Sequence, residues 1–161
     1  MNVRVGLGYD VHAVGGERPL VLGGVTVDGP GLVGHSDADV VAHAVADALL
    51  GAAGLPDLGS LYPAHDDRYR DADSIGLLGD IASRVRDAGW QVANVDVVVN
   101  AERPHLAPHV AAMAATLGAA VRGPVGVKAK RGEAVGAVGR AEAIAAWAVA
   151  LLEPVEVTRG S

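Results

Sequence analysis

Residues 35–50, His35-Ser36-Asp37-Ala38-Asp39-Val40-Val41-Ala42-His43-Ala44-Val45-Ala46-Asp47-Ala48-Leu49-Leu50, carry two helical stripes at once. Val40, Val41, Ala44, Val45, Ala48 and Leu49 recur at the spacing of one apolar face, while Asp39, His43 and Asp47 fall four apart along another. The spacing predicts a helix from about Asp39 to Leu50, stopped by Gly51 and Gly54. Ser36 and Asp37 are its expected cap and first-turn residues. A helix of this kind packs its apolar face on a partner and presents His43 beside it.

The partner lies upstream. Val3, Val5 and Leu7 alternate with Arg4, Gly6 and Gly8, the period of a β-strand, which puts Asp10 and His12 on one face. The chain has no cysteine, so a zinc ion would have to be held by imidazole and carboxylate. Asp10, His12 and His43 would leave a fourth tetrahedral position open for chemistry. In that reading Asp47 or Asp39, one turn from His43 on either side, accepts the second ring N–H and fixes the tautomer. The ordinary alternative is that Asp-x-His is a surface accident and that an Asp near a helix start answers the helix dipole. Both readings remain open on the residues alone.

Composition narrows the class. A chain of 161 residues, half hydrophobic and one-fifth charged, suits one folded domain with its own core. A net charge of −6 without a Lys/Arg run argues against a nucleic-acid surface. No apolar stretch reaches membrane-spanning length, and Met1-Asn2-Val3-Arg4 leads into the first strand without the apolar run of a signal peptide, so the expected location is cytoplasmic. With no Phe, two Trp and three Tyr, the core falls to Ala, Val and Leu. Such side chains bury little area each, at about 25 cal/mol per Å², and the chain would gain from oligomerisation.

The remaining elements follow in order. Gly15 to Arg18 make a turn into a short hairpin, Pro19–Leu22 with Val25–Val27. An irregular segment from Leu55 to Pro63 passes into a charged loop ending at Asp73. Asp73-Ser74 caps a second helix, whose Ile75, Leu78, Ile81, Ala82 and Val85 keep helical intervals before Gly89. A Val-rich strand is expected over Trp90–Asn100, a third helix opened by Pro104 and Pro108 and running to about Leu117, and another strand over Val125–Lys128. Ala143–Leu152 suits a helix by composition and a two-sided buried strand equally well. The succession implies an α+β fold: a single-domain α/β sandwich over residues 1–152, with helices on one face, a small β-hairpin and, where the last element is read as a strand, a mixed four-stranded sheet. Residues 153–161 are expected to form a flexible tail.

Taken together, Gly8-Tyr9-Asp10-Val11-His12, Leu22-Gly23-Gly24, the run from His35 to Ala44, Asp47 to Gly51, Asp57-Leu58-Gly59, Ala72-Asp73-Ser74, Asn94-Val95-Asp96 and Gly139-Arg140 resemble the 2-C-methyl-D-erythritol 2,4-cyclodiphosphate synthases of the non-mevalonate isoprenoid pathway. The resemblance extends from residue 3 to about 152. It implies a homotrimer with active sites at subunit interfaces, Zn²⁺ and a second divalent cation (Mg²⁺ or Mn²⁺). The implied reaction converts 4-diphosphocytidyl-2-C-methyl-D-erythritol 2-phosphate to the 2,4-cyclodiphosphate and CMP, the work of a phosphorus-oxygen lyase. It also implies a strand, not a helix, over Ala143–Leu152.

By the same resemblance, Asp10, His12 and His43 match zinc ligands, and Glu133 matches the carboxylate holding the second metal. His35 and Ser36 match contacts to substrate phosphate. Asp57, Leu58 and Gly59 match the segment that holds the methylerythritol hydroxyls. Ala101, Pro104, His105 and Leu106 belong to the loop around the cytosine, and Arg140 with Glu142 match residues near the trimer axis. Lys130, Arg131 and Gly132 stand where those synthases usually have threonines, exchanging hydroxyls for two cations; Arg can grip phosphate bidentately. His105 replaces a usual lysine, Ala64 a usual acid and Ala141 a usual glycine, the last taken as a mild change. These departures keep two alternatives in view: a diverged zinc-dependent cyclase or hydrolase for another nucleotide diphosphate, and a non-catalytic trimeric metal- and phosphate-binding protein. The remaining histidines, His65 and His109, read as solvated.

Overall fold

The structure is a computed structural model that describes residues 2–156. Its strands are β1 (Arg4–Gly16), β2 (Leu20–Leu22), β3 (Val25–Val27), β4 (Gly31–Leu32), β5 (Trp90–Asn100), β6 (Val125–Lys130) and β7 (Ala143–Pro154). The helices are α1 (Val40–Ala53), α2 (Leu58–Leu61), α3 (Ser74–Asp87), α4 (Val110–Val121) and α5 (Gly136–Gly139). The main sheet has the order β4-β1-β7-β5-β6, with only β5 and β6 parallel; β2 and β3 form the separate hairpin. Four long strands match the expected sheet, and the two-residue β4 adds a fifth at the β1 edge.

The ambiguous Ala143–Leu152 segment is the central strand. β7 pairs β1 on one side, Tyr9 opposite Trp147 and His12 opposite Ile144, and β5 on the other, Asn100 opposite Ala145. Pairing along both edges overrides its helix-favouring alanines. β7 also runs to Pro154, so Glu153 and Pro154 of the expected tail are ladder residues facing Gln91 and Trp90, and Val155 N donates to the Gly89 carbonyl at 3.0 Å; of the rest of that expectation, 157–161 lie outside the described residues. The third helix departs as well. Pro104 stays in the loop before it, a 3-10 turn over Ala107–His109 takes up Pro108, and α4 begins at Val110 and continues to Val121.

Small residues set the distance between layers. Gly6 and Gly8 of β1 face α1, and a methyl group added at either would lie 2.0 Å from the Ala48 carbonyl oxygen or 1.9 Å from that of Ala44. The helix backbone therefore rests on the strand, with Ala44, Ala48, Ala146, Ala148 and Ala150 all buried in the seam. Among the described residues no helix covers the opposite face of the sheet: Val5, Leu7, Tyr9, Val11, Trp147 and Val149 are exposed there.

Asp39, fully buried, corrects the expected cap. Its carboxylate accepts from Val41 N and Ala42 N at 3.1 and 3.0 Å and from Gly23 N and Gly24 N at 2.8 and 2.7 Å, joining α1 to the β2–β3 turn. Ala38 takes φ 59°, which delays helical geometry until Val40 and leaves Ser36 and Asp37 outside the helix.

Candidate metal centre

The close seat of α1 on β1 brings His43 over Asp10 and His12. The Asp10 Oδ2 lies 2.9 Å from His12 Nε2 and 2.9 Å from His43 Nδ1, and the two nitrogens are 3.3 Å apart. Donors bound tetrahedrally at about 2.0–2.1 Å sit roughly 3.3 Å from one another, so this triangle is the right size for a small divalent ion such as zinc. Two imidazoles and one carboxylate also suit zinc better than calcium or magnesium, which favour all-oxygen shells.

Both rings are aimed. His12 Nδ1–H donates to the Val33 carbonyl at 2.7 Å, leaving Nε2 with its lone pair toward Asp10. On His43 the outer nitrogen, Nε2, donates to Ser74 Oγ at 2.9 Å, and Ser74 Oγ–H donates to Asp37 Oδ1 at 2.5 Å. Nδ1 of His43 thus also turns a lone pair inward. Three acceptor atoms facing one point repel one another until a cation sits among them. In the metal-free protein a proton serves: burial opposes the charge on His12, but the Asp10 carboxylate outweighs it and raises the His12 pKa. Burial likewise pushes Asp10 up, and the two imidazoles more than reverse this, holding its carboxyl well below the usual range.

The expected orienting role of Asp39 or Asp47 is corrected by this chain of hydrogen bonds. Asp39 is consumed by four amides, and Asp47 accepts from Leu58 N at 2.8 Å, fixing the start of α2. Ser74, missed as a site residue, is 2% exposed at the first position of α3. A serine immediately after the capping Asp73 was the available signal, since a cap needs only one of the two.

A cavity of about 180 Å³ opens beside the triad, lined by His12, His35, Ser36, His43, Leu58, Gly59, Tyr62, Ala64 and Tyr69 among others. His35, Ser36, Leu58 and Gly59 are thus gathered at the triad, and Asp57 caps α2 by accepting from Ser60 N at 2.8 Å. Burial and the Asp80 carboxylate push the Tyr62 hydroxyl up to about 12. A second cavity of about 420 Å³ is lined by Ala101–Ala107 and Ala129–Arg131, which brings together Ala101, Pro104, His105, Leu106, Lys130 and Arg131. Arg131 pairs there with Glu102 at 2.5 Å and holds the Glu102 carboxyl low. The two cavities share no lining residue. Gly132 and Glu133 follow directly on Arg131 outside both linings, and Arg140 pairs with Glu142 at 2.8 Å. Within one copy, therefore, Glu133 and Arg140 are not gathered at the triad.

A family model, that of the YgbB family, matches residues 3–153. The chain belongs to the YgbB family. Among relatives, it is 53% identical over 158 residues to the 2-C-methyl-D-erythritol 2,4-cyclodiphosphate synthase of Bordetella petrii, covering 94% of this chain and 98% of that one. It is 50% identical to the bifunctional enzyme IspD/IspF of Anaeromyxobacter dehalogenans over 93% of its own length and 40% of that protein's. Of solved structures, the bifunctional IspDF from Campylobacter jejuni superposes with a TM-score of 0.94 at 38% identity, over 98% of this chain and 44% of the other. The CDP complex of IspF from Plasmodium falciparum matches with a TM-score of 0.82 at 28% identity, over 96% and 98%. Among the described residues no helix is long and apolar enough to cross a membrane.

Proposed function

We propose that the chain is a metal-dependent, CMP-releasing cyclase of isoprenoid biosynthesis that converts 4-diphosphocytidyl-2-C-methyl-D-erythritol 2-phosphate to 2-C-methyl-D-erythritol 2,4-cyclodiphosphate, a phosphorus-oxygen lyase working in the cytoplasm. The observation that carries this reading is the convergence of Asp10, His12 and His43 beside His35 and Ser36, in a chain 53% identical to a synthase of that name.

The substrate's 2-phosphate oxygen forms a bond to the β-phosphorus, and the bond from that phosphorus to the oxygen bridging to the α-phosphate breaks, releasing CMP. No general base is needed, because the attacking phosphate is already largely ionised near neutral pH. The protein's task is to fold a flexible polyanion and keep nucleophile and leaving group in line, an entropic contribution that can reach about 7–11 kcal/mol. His35 and Ser36 hold phosphate, and Asp57, Leu58 and Gly59 hold the methylerythritol hydroxyls. The cavity walled by Ala101, Pro104, His105 and Leu106 takes the cytidine, with Lys130, Arg131 and Gly132 along the diphosphate. Asp10, His12 and His43 would hold Zn²⁺ and Glu133 would hold Mg²⁺ or Mn²⁺, cations that would supply Lewis-acid polarisation and charge neutralisation for the departing CMP.

The proposed assembly is a homotrimer with sites between subunits. Three features support it: the apolar open face of the sheet, cavities with separate linings, and their common position at one end of the sheet. His12 lies opposite Ile144, while Asn100, which precedes the second cavity, lies opposite Ala145. The two halves are therefore about two strand spacings, roughly 10 Å, apart across the sheet. A neighbouring copy's cytidine half can face the triad.

The test is CMP release and cyclic diphosphate formation by purified protein, with and without Mn²⁺ and a zinc chelator. Turnover abolished by the chelator is expected; a folded, zinc-loaded protein that releases no CMP overturns the reading. A second reading, another nucleoside diphosphate as substrate, is supported by the Arg131–Glu102 pair and His105 in the cavity wall, and a cytidine-only substrate profile removes it.

A further inference from the structure

Arg18, in the turn between β1 and β2, is not used by the chemistry above, yet it joins two segments that frame the triad cavity. Its Nη1 donates to the Gly34 carbonyl at 2.9 Å, and its Nη2 pairs with the Asp71 carboxylate. Gly34 lies between Val33, whose carbonyl aims His12, and His35, whose carbonyl accepts from Asp71 N at 3.0 Å. One residue on, Asp37 N donates to Ala72 O at 3.2 Å. The 33–37 segment and the 71–72 segment are thus zipped side by side, with the guanidinium across their outer end. Gly34 has no room for a side chain: a methyl group there would lie 2.7 Å from Ala38 Cβ and 3.2 Å from the His12 ring. A shift of this segment would therefore be felt by His12.

The loop that ends at Asp71 carries Tyr62, Ala64 and Tyr69 into the triad cavity, and its Asp66 carbonyl accepts from His35 Nε2 at 3.2 Å. Tyr62 donates to Asp80 of α3 and stacks edge-on against Tyr69 at 5.1 Å, securing the near end. Of the ion pairs along the loop, Arg68–Asp66 and Arg70–Asp67 stay within it; among the described residues Arg18–Asp71 is the one that leaves it. Asp71 takes φ 59°, a conformation costly to most L-residues and one that Asp tolerates better than most.

We propose that Arg18 is a positioning residue which, through Gly34 and Asp71, clamps the 62–72 loop against the 33–36 segment and thereby sets how tightly the triad cavity holds a phosphate-bearing substrate. This rests on the reading of that cavity under Proposed function. One planar fork reaches both acceptors, a geometry that the single ammonium of lysine does not reproduce. Arg18 and Asp71 side chains are 37% and 62% exposed, so water and salt screen the pair and its effect is several-fold, not many orders of magnitude.

The experiment combines R18M, R18K, D71N and the R18M/D71N double variant, with amide hydrogen exchange over 64–72, steady-state KM and kcat, and melting temperature. Asparagine keeps the tolerance for positive φ at position 71 while removing the charge. Each single variant is expected to speed exchange in 64–72 and raise KM by about twofold to fivefold, the range an exposed pair supports, with kcat and melting temperature nearly unchanged. The double variant is expected to be no worse than either single, R18K not to restore the wild-type value, and high salt to erase the difference. Unchanged exchange and KM in R18M and D71N, additive effects in the double, or full rescue by R18K overturns the clamp. If the wild-type protein turns over no substrate, the functional reading fails, and exchange in 64–72 still decides the clamp by itself.

Discussion

Replacing Gly8 by alanine tests whether the metal centre is made by the seat of α1 on β1. The added methyl would stand 1.9 Å from the Ala44 carbonyl oxygen and 2.7 Å from Ala48 N, where ordinary contact begins at 3.4 Å. Both obstacles are backbone, so no rotamer relieves them, and α1 has to retreat by roughly 1.5 Å. His43 precedes Ala44 on that helix, and its Nδ1 lies 2.9 Å from Asp10 Oδ2, a distance that does not survive such a retreat. Overpacking of this kind costs about 1–3 kcal/mol, which in a chain of this size lowers the melting temperature by roughly 2–12 °C. Zinc affinity should fall by at least about tenfold to a hundredfold, the loss seen when only an outer partner of a ligand is removed. The assays are thermal denaturation and zinc competition against a chromogenic chelator. Gly51→Ala on the same helix is the control: its added methyl meets nothing within 4 Å, and alanine should stabilise the helix by about 0.5–1 kcal/mol. A G8A protein that melts within about 1 °C of wild type and binds zinc equally well would refute the argument.

Five further outcomes follow from the same geometry. Ser74→Ala removes the nearer of the two hydroxyls within reach of His43 Nε2–H, leaving Ser36 Oγ at 3.2 Å, and should weaken zinc binding by about tenfold, read by the same competition. Zinc affinity should climb as pH rises past 6.5 and level off only above the raised pKa of His12, since metal displaces its proton while Asp10 stays ionised; a plateau already reached below 6.5 contradicts this. In the metal-free protein the Asp10 contribution to stability is present above 3.8 and lost in acid, whereas that of His12 is complete below 6.5 and fades as pH climbs through its raised pKa. Ala141 takes φ 57°, so the exchange expected to be mild is strained, and Ala141→Gly should raise the melting temperature by roughly 2–4 °C, for about 1 kcal/mol relieved. Leu7→Glu, on the open face at 67% exposure and away from the triad, should yield a monomer by sedimentation that keeps zinc affinity and loses turnover.

What is legible in the sequence is what depends on periodicity within one element. The apolar stripe of α1, the alternation of β1 and the Val-rich β5 each announce themselves over ten residues or so, and each element appears where its period places it. The triad is legible for the same reason, since Asp10 and His12 share a strand face and His43 a helix stripe. What is not legible is set between elements. The acceptor for His43 comes from α3, thirty-one residues away, and the cap of α1 moves to Asp39 because Ala38 adopts a left-handed backbone conformation. No local period encodes either. β7 is undecidable alone because its state is fixed by two neighbours that pair with both of its edges.

Asp39 shows why the nearest carboxylate on a helix stripe is a poor guide to a histidine's partner. A buried carboxylate must find donors, and the first donors within reach are the free amides at its own helix start and those of the glycine turn packed against it. With Gly23, Gly24, Val41 and Ala42 all bonded to it, the Asp39 carboxylate is held by amides and makes no hydrogen bond to His43. His43 Nε2 instead faces two neutral hydroxyls, Ser74 at 2.9 Å and Ser36 at 3.2 Å, of which Ser74 is itself polarised by Asp37. The effect is to keep full negative charge one bond further from the metal centre, so that Asp10 supplies the only carboxylate in the triad itself. A centre with one anionic ligand retains more of a divalent ion's positive charge for a phosphate than one with two, which suits a site whose proposed substrate is a polyanion.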